Sequence, residues 1–137
     1  GFQHAILEYA RNVLGWSDAA HAETDTAGRM VIAPLACSLV EKTDEVELRP
    51  NTLIAKAYGQ PVISEGYQCN YGIAEAFAAE LDSGDLRVTG WDDNGDIRAV
   101  ELVTHPFFVA TLFQPERGAL TGKPVPLAQA MLRAARG

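Results

Sequence analysis

The sequence predicts a layered α/β domain, and three observations carry that prediction. An apolar stripe at three- and four-residue steps opens the chain and predicts an amphipathic helix. Two strand-like segments flank an Asn-Gly turn, which predicts a hairpin. A continuous apolar run from Phe107 to Phe113 predicts a central strand buried on both faces. Helices mixed with strands are typical of layers packed around one core.

The opening helix is predicted from Phe2 to Leu14. Its apolar stripe consists of Phe2, Ile6, Tyr9, Ala10, Val13 and Leu14. Gly15 follows in the position where many helices end. A buried helix is normally placed by a strand and turn before it, so we expect further residues of this domain upstream of Gly1. The polar stretch from Trp16 to Gly28 is predicted to be a loop.

The next part of the chain predicts short extended segments. Met30 to Val40 is apolar and predicts a strand that is broken at Pro34. Glu41 to Glu45 is predicted to be a charged turn. Two short segments follow, Val46 to Arg49 and Thr52 to Tyr58, and we predict that they pair as a hairpin.

A polar loop separates the two halves of the chain. Val62 to Glu65 leads into Gly66 to Gly72, which is rich in hydrogen-bonding side chains and bounded by glycines. Such a stretch is either a binding loop or an ordinary connection, and the sequence leaves both open. A short helix is predicted from Ile73 to Leu81, because apolar residues recur there at four-residue steps.

The hairpin and a closing helix complete the pattern. The hairpin consists of Leu86 to Trp91, a turn at residues 92–96, and Ile97 to Val103, since Asn-Gly supplies the positive φ angles of a tight turn. Arg117 to Val125 is predicted to be a loop. The closing amphipathic helix is predicted from Leu127 to Ala134, with Pro126 near its first turn.

Composition restricts the classes of partner. The chain has 137 residues and a formal charge of −7, with acidic residues spread along it. This argues against nucleic acid or an anionic membrane as the main partner and favours a small molecule or a protein. Two cysteines, Cys37 and Cys69, indicate neither a disulfide framework nor a metal site, and Cys37 is interpreted as a small buried residue. With no signal-peptide pattern and no apolar run of membrane length, a cytoplasmic protein is expected.

The polar triplet Gln114-Pro115-Glu116 ends the run that starts at Phe107. In an open α/β sheet, ligands bind at the carboxyl ends of central strands. The triplet is therefore a candidate site, although solvation of a strand end explains the same residues.

Two separated stretches resemble one family. Gly1-Phe2-Gln3, followed by the helix through Val13, is similar to the helix after the nucleophile elbow of class I glutamine amidotransferase domains of the CTP synthase type. His105 to Thr111, then Phe113 and Pro115-Glu116, resembles the strand of that family that carries its catalytic His-Pro-Glu. Leu48-Arg49 and the stretch from Ile63 to Tyr71 fall between them in matching order.

The resemblance implies a flavodoxin-like class I amidotransferase fold, here its C-terminal part with an added β-hairpin, as a single domain over residues 1–137. It also implies a Cys-His-Glu triad that hydrolyses the side-chain amide of glutamine and passes ammonia to a partner site. No cofactor and no metal are implied. An ammonia-accepting partner, or a separate N-terminal chain, is expected.

The chain departs from the family at the triad. The family's nucleophile stands a few residues before Gln3, upstream of Gly1. Gln114 occupies the position of the family's histidine, and an amide cannot move a proton near neutral pH. Glu116 is retained, but it has no imidazole to orient. His105 is about nine residues, or roughly 30 Å of extended chain, from the triad position and cannot replace the histidine by a shift of register.

The substrate-binding positions are mixed. Gly1, Phe2 and Gln3 fall where the family builds its oxyanion turn. Glu23 falls where a Glu binds the substrate's amino group. Asn70 stands before Tyr71, where the family has an Arg that pairs with the substrate's carboxylate, and a neutral amide does not replace that bidentate pair.

Three hypotheses remain. The first is a catalytically impaired or altered amidotransferase-like domain that binds glutamine, a related metabolite or a partner protein. The second is an active glutaminase or hydrolase with a nucleophile upstream of Gly1. The third is a structural half-domain that a separate chain completes.

Overall fold

A computed structural model describes residues 1–35, 39–40, 42–82 and 84–136. The described chain is a mixed α/β structure with four α-helices, one 3₁₀-helix and eight strands. Their bounds, in chain order, are α1 Phe2–Asn12, β1 Ala19–His21, β2 Arg29–Pro34, β3 Lys42–Leu48, α2 Leu53–Tyr58, β4 Val62–Tyr67, β5 Tyr71–Ile73, α3 Glu75–Leu81, β6 Leu86–Trp91, β7 Ile97–Leu102, β8 Val109–Thr111, the 3₁₀-helix Pro115–Thr121, and α4 Pro126–Ala135.

The strands form two sheets. A three-stranded sheet has the order β1-β2-β5, in which β1 is parallel to β2 and β5 is antiparallel to it. A five-stranded antiparallel sheet has the order β4-β3-β6-β7-β8. β3 pairs with β6 only at its last two residues, Glu47 and Leu48, so the β3–β4 pair extends away from the rest of this sheet.

Helix α1 packs its apolar face into the core and contacts both sheets. Its buried residues are Phe2, Ile6, Leu7, Tyr9 and Ala10. The predicted stripe is therefore confirmed in its first two turns, and the helix ends at Asn12, two residues earlier than predicted. The Tyr9 hydroxyl accepts a hydrogen bond from the Leu86 amide (3.3 Å), which ties α1 to the start of β6.

The predicted hairpin is confirmed as β6 and β7. The Asp92 carboxylate organises the turn, because it accepts hydrogen bonds from the amides of Asn94 (3.0 Å) and Asp96 (2.9 Å). Gly95 has a positive φ of 82°, as the Asn-Gly pair predicts. Arg98 donates to the same carboxylate at 2.8 Å, and both side chains are 5% exposed.

The run from Phe107 to Phe113 is not a central strand, and this prediction is wrong. Only Val109–Thr111 pairs, as β8 against β7, and it is the last strand of the five-stranded sheet in the described ranges. Its three residues are half-buried. Strand β7 has five consecutive buried residues, Ile97 to Glu101, and lies between β6 and β8 in the sheet.

The predicted turn at Glu41 to Glu45 and the hairpin of Val46 to Arg49 with Thr52 to Tyr58 are also wrong. Lys42–Leu48 is one strand, β3, paired with β4 along most of its length. Leu53–Tyr58 is a helix, α2, whose N-cap is Thr52 and whose C-cap is Gly59 in the left-handed region. Good helix formers at four of the six positions and capping at both ends explain why this segment folds as a helix.

Three smaller corrections follow. The predicted loop from Trp16 to Gly28 contains β1, and the predicted loop from Arg117 to Val125 begins within the 3₁₀-helix. The helix predicted from Ile73 starts at Glu75, because Tyr71–Ile73 pairs with β2.

Two further predictions concern the strand from Met30 and the closing helix. The strand is confirmed up to Pro34, where β2 ends. Its predicted continuation to Val40 is wrong at Leu35, Leu39 and Val40, which are not in a strand; residues 36–38, including Cys37, lie outside the described residues. The closing helix is present with Pro126 in its first turn.

No helix within the described ranges is long and apolar enough to cross a membrane.

Candidate functional site

The first turn of α1 supplies one side of the candidate site. The helix begins directly after Gly1, whose carbonyl accepts from the Ala5 amide at 3.0 Å. The other amides of a first turn have no partner within the helix and are available to a ligand. Gly1, Phe2 and Gln3 therefore present both backbone donors and one side-chain amide at a single helix end.

The residues after β8 supply the opposite side. The Gln114 amide donates to the Gly66 carbonyl at 2.8 Å, and the Leu112 amide donates to the Arg98 carbonyl at 2.8 Å. The ring of Phe113 packs edge-on against Tyr67, with 6.1 Å between ring centroids. These contacts hold the polar triplet against the last residues of β4.

The helix end and the triplet enclose one cavity of about 310 Å³. Five residues predicted as site residues line it: Gly1, Phe2, Gln3, Gln114 and Glu116. The described lining also contains Gln68, Cys69, Thr111, Leu112, Phe113 and Pro115. Residues that are 113 positions apart in the sequence therefore meet at one surface, as the resemblance implies.

Three predicted substrate-binding residues lie beside the cavity rather than in its lining. The Gln3 side-chain nitrogen donates to the Tyr71 carbonyl at 3.1 Å, so Tyr71 touches the site through its backbone. Glu23 is connected to the site indirectly: its backbone amide donates to His21 Nδ1 at 3.1 Å, and His21 contacts Gln3. The Asn70 carbonyl accepts from the Leu35 amide, and Asn70 is not among the described lining residues.

Sequence reasoning did not single out three residues that belong to the site or support it. Gln68 and Cys69 line the cavity from the polar loop, which favours the binding-loop interpretation of that stretch. His21 is buried against Gln3. A lone histidine within a polar stretch gives no local signal, because its partner is 18 positions away.

Cys69 is a free, half-buried thiol in the lining. Burial raises the pKa of its thiol, while the Arg98 guanidinium acts in the opposite direction. A raised pKa keeps the thiol protonated near neutral pH, and the thiolate is the nucleophilic form. Cys69 therefore contributes a small polarizable group to the cavity wall.

The carboxylate of Glu116 has an acidic neighbour. Burial raises the pKa of the Glu65 carboxyl, and the nearby Glu116 carboxylate raises it further. The Tyr58 hydroxyl and the Lys123 ammonium group act in the opposite direction. Glu116 thus lies near a second carboxyl group, that of Glu65. A carboxylate that orients a catalytic base would instead need an imidazole beside it.

No histidine is among the described residues that line the cavity. His105 is exposed in the turn before β8, where its Nδ1 accepts from the Phe107 amide at 3.0 Å. The arrangement can bind an amide or a similar polar group through Gln3, Gln68 and Gln114. Among the described lining side chains, Glu116 carries the one carboxylate, and the three glutamine amides cannot move a proton near neutral pH.

Comparison with known proteins agrees with the fold and the motifs. A CTP synthase from Pyrobaculum aerophilum is 36% identical over 148 residues, which cover 98% of this chain and 28% of that protein. A CTP synthase from Flavobacterium johnsoniae is 30% identical over 147 residues, covering 93% of this chain and 26% of that protein. No protein-family model matches the chain.

A solved structure gives the same result. The Trypanosoma brucei CTPS glutaminase domain with bound acivicin superposes with a TM-score of 0.88 at 26% identity, covering 99% of this chain and 58% of that one. The chain spans just over a quarter of the length of the curated relatives it matches.

The fold is therefore that of a class I glutamine amidotransferase domain, in which the cavity lies between the helix end and the residues after β8. Within that class the chain is similar, over nearly all of its length, to the glutaminase domain of CTP synthases. The resemblance stated from the sequence is therefore confirmed, both for the class I amidotransferase fold and for the CTP synthase type.

Proposed function

We propose that this chain is a glutamine amidotransferase-like domain that binds glutamine or a related small amide but is impaired in hydrolysing it. The observation that carries the proposal is Gln114. It stands in the lining where the family's histidine is expected, beside Glu116 and opposite the first turn of α1. Loss of a general base costs about 10²- to 10⁴-fold in rate.

The character of the lining supports an uncharged amide as the recognised group. Gln3, Gln68 and Gln114 can each donate and accept hydrogen bonds, and Glu116 is the one carboxylate among the described lining side chains. Asn70 supplies no positive charge for a ligand carboxylate. We therefore expect weak binding of glutamine itself and at least equal binding of amides that lack the α-carboxylate.

The wider role is part of the same proposal. A domain that does not release ammonia needs no acceptor, so we infer that its ligand acts as a signal or as a regulator of an adjoining domain or chain. The cysteine usage fits a reducing, cytoplasmic setting.

The test measures binding and ammonia release separately in the full-length protein. Calorimetry with glutamine and with butyramide, an amide that lacks the α-carboxylate, should give saturable binding, while ammonia release from glutamine should stay at the background rate. Gln3→Leu should lose binding, since it removes an amide from the lining. Gln129→Leu, on α4, is the matched control and should bind as the unmodified protein does.

Two results would contradict the proposal. Ammonia release at rates typical of enzymes, abolished by replacing a cysteine upstream of Gly1, would establish an active glutaminase instead. An absence of binding by every amide tested would favour the structural half-domain.

A further inference from the structure

His21 is a buried polar residue beside the cavity. It is 5% exposed, and it lies at the end of β1, where the pairing with β2 shifts register. Its Nε2 lies 2.8 Å from the Gln3 side-chain oxygen. Its ring packs at a tilt against Tyr71, with 5.3 Å between centroids.

The hydrogen bonds fix the tautomer of the ring. The Glu23 amide can only donate, so the His21 Nδ1 that it contacts at 3.1 Å must accept and carries no proton. The single proton of the neutral imidazole is then on Nε2, from which it is donated to the Gln3 oxygen. The ring therefore uses both of its nitrogens within the protein.

The same reasoning fixes the Gln3 amide. Because its oxygen accepts from His21, its nitrogen faces the Tyr71 carbonyl and donates to it at 3.1 Å. One directed chain of hydrogen bonds thus runs from the Glu23 amide through His21 and Gln3 to Tyr71. It joins three segments that are separate in the sequence, namely the turn after β1, the start of α1 and β5.

We propose that His21, as its neutral Nε2–H tautomer, is a positioning residue for the ligand site. It sets which face of the Gln3 amide is presented to the cavity, and it holds the turn that carries Glu23 next to the helix end. The proposal rests on the function proposed above, that the cavity beside Gln3 binds a ligand.

Three variants of the full-length protein separate the two bonds of the ring. His21→Phe keeps an aromatic ring and removes both bonds, so the Kd for glutamine should rise about tenfold, equivalent to one lost buried hydrogen bond. His21→Gln places an amide nitrogen near Nε2 and should recover most of that affinity. His21→Asn keeps an acceptor near Nδ1 only and should resemble His21→Phe in affinity.

Rescue by His21→Gln, but not by His21→Asn, is a result that a purely structural role would not give, because only Gln restores a donor to the Gln3 oxygen. Equal affinity of His21→Phe and the unmodified protein for glutamine would overturn the proposal.

A ligand-free measurement separates failure of this proposal from failure of the proposed function. Nitrogen-15 NMR of the full-length protein should show His21 with its proton on Nε2, and the Gln3 side-chain amide signals should move in His21→Phe. A proton on Nδ1, or unmoved Gln3 signals, would overturn the role of His21. If no amide binds the unmodified protein while both NMR results hold, the proposed function fails and the link from His21 to Gln3 stands.

Discussion

At the scale of single residues, position 114 combines a backbone contact beside the cavity with a side chain that differs from the histidine expected from the resemblance. Gln114 keeps the backbone placement of the site, because its amide is held by the Gly66 carbonyl, while its side chain cannot transfer a proton. The position is recognisable from sequence because the residues around it form a motif. The glutamine at this position then indicates that the proton transfer expected of a histidine is lost.

Restoring histidine at this position should not by itself restore hydrolysis. In the full-length protein we expect Gln114→His alone to leave ammonia release near background, because Asn70 provides no charge to hold the substrate carboxylate. Gln114→His combined with Asn70→Arg should raise ammonia release about 10²-fold or more. A coupled ammonia assay checks this, with Asn70→Arg alone as the control; full activity from Gln114→His alone would contradict it.

His21 shows what a sequence cannot reveal at this scale. Its role depends on Gln3, which is 18 positions earlier, and the Gln3 amide in turn depends on Tyr71, which is 68 positions later. Contacts between residues so far apart in the sequence leave no periodic pattern from which they could be predicted. Cavity-lining residues within the two family-like stretches were predictable, whereas His21, which lies outside both stretches and contacts Gln3, was not.

At the scale of elements, local signals decide what is predictable. The β6–β7 hairpin is specified by an Asn-Gly turn between two strand-like segments, and it was predicted correctly. Helix α2 was missed although Leu53, Ala55, Lys56 and Ala57 are good helix formers and Thr52 and Gly59 are local capping signals, because six residues are too few to show a helical period. Part of what stabilises it lies far away in sequence, on β7.

The start of α2 is capped by a buried carboxylate from β7. Glu101 is 6% exposed, and its two oxygens accept from the amides of Leu53 (2.9 Å) and Ile54 (3.0 Å). Glu101→Gln should lower the free energy of unfolding by about 1–2 kcal/mol, because an amide offers only one acceptor oxygen and no charge to the helix end.

Chemical denaturation measures this effect. Glu47→Gln makes the same chemical change at an exposed position on β3 and should alter the free energy of unfolding by less than about 0.5 kcal/mol. Equal stability of the two variants would show that the Glu101 cap does not contribute.

At the scale of the whole molecule, the core between α1 and the two sheets contains two buried tyrosines, Tyr9 and Tyr67. They differ in whether the hydroxyl has a hydrogen-bond partner. The Tyr9 hydroxyl accepts from the Leu86 amide and so links a helix to the larger sheet. The Tyr67 hydroxyl is fully buried and has no hydrogen-bond partner among the described residues. Burial raises the pKa of Tyr67, so the group stays neutral.

Removing these two hydroxyls should have opposite consequences. Tyr67→Phe should leave the free energy of unfolding unchanged or raise it by up to about 1 kcal/mol, since an unpaired polar group leaves the core. Tyr9→Phe should lower it by about 1 kcal/mol, because the Leu86 amide loses that acceptor. Thermal or urea unfolding of both variants checks the order of stability; a greater loss from Tyr67→Phe would contradict it.

The fold class was predictable because amphipathic helices and the hairpin carry short-range patterns. The strand order was not, because an apolar run such as Phe107 to Phe113 indicates burial without indicating which neighbours cause it. Leu112 and Phe113 are indeed buried, but they lie beyond the end of β8 and pack at the cavity. In this run the fully buried residues, Leu112 and Phe113, are therefore those that pack beside the cavity, whereas the strand residues Val109 to Thr111 are half-buried.

The hydrogen bond between Gln114 and Gly66 has a consequence for how this domain would tolerate insertions. β4 and β8 are the two outermost strands of the larger sheet as described, yet the Gln114 amide, three residues beyond the end of β8, donates to the Gly66 carbonyl near the end of β4. This one bond connects the segments that follow the two outer strands beside the cavity. An insertion or deletion in either strand would therefore displace residues that line the cavity.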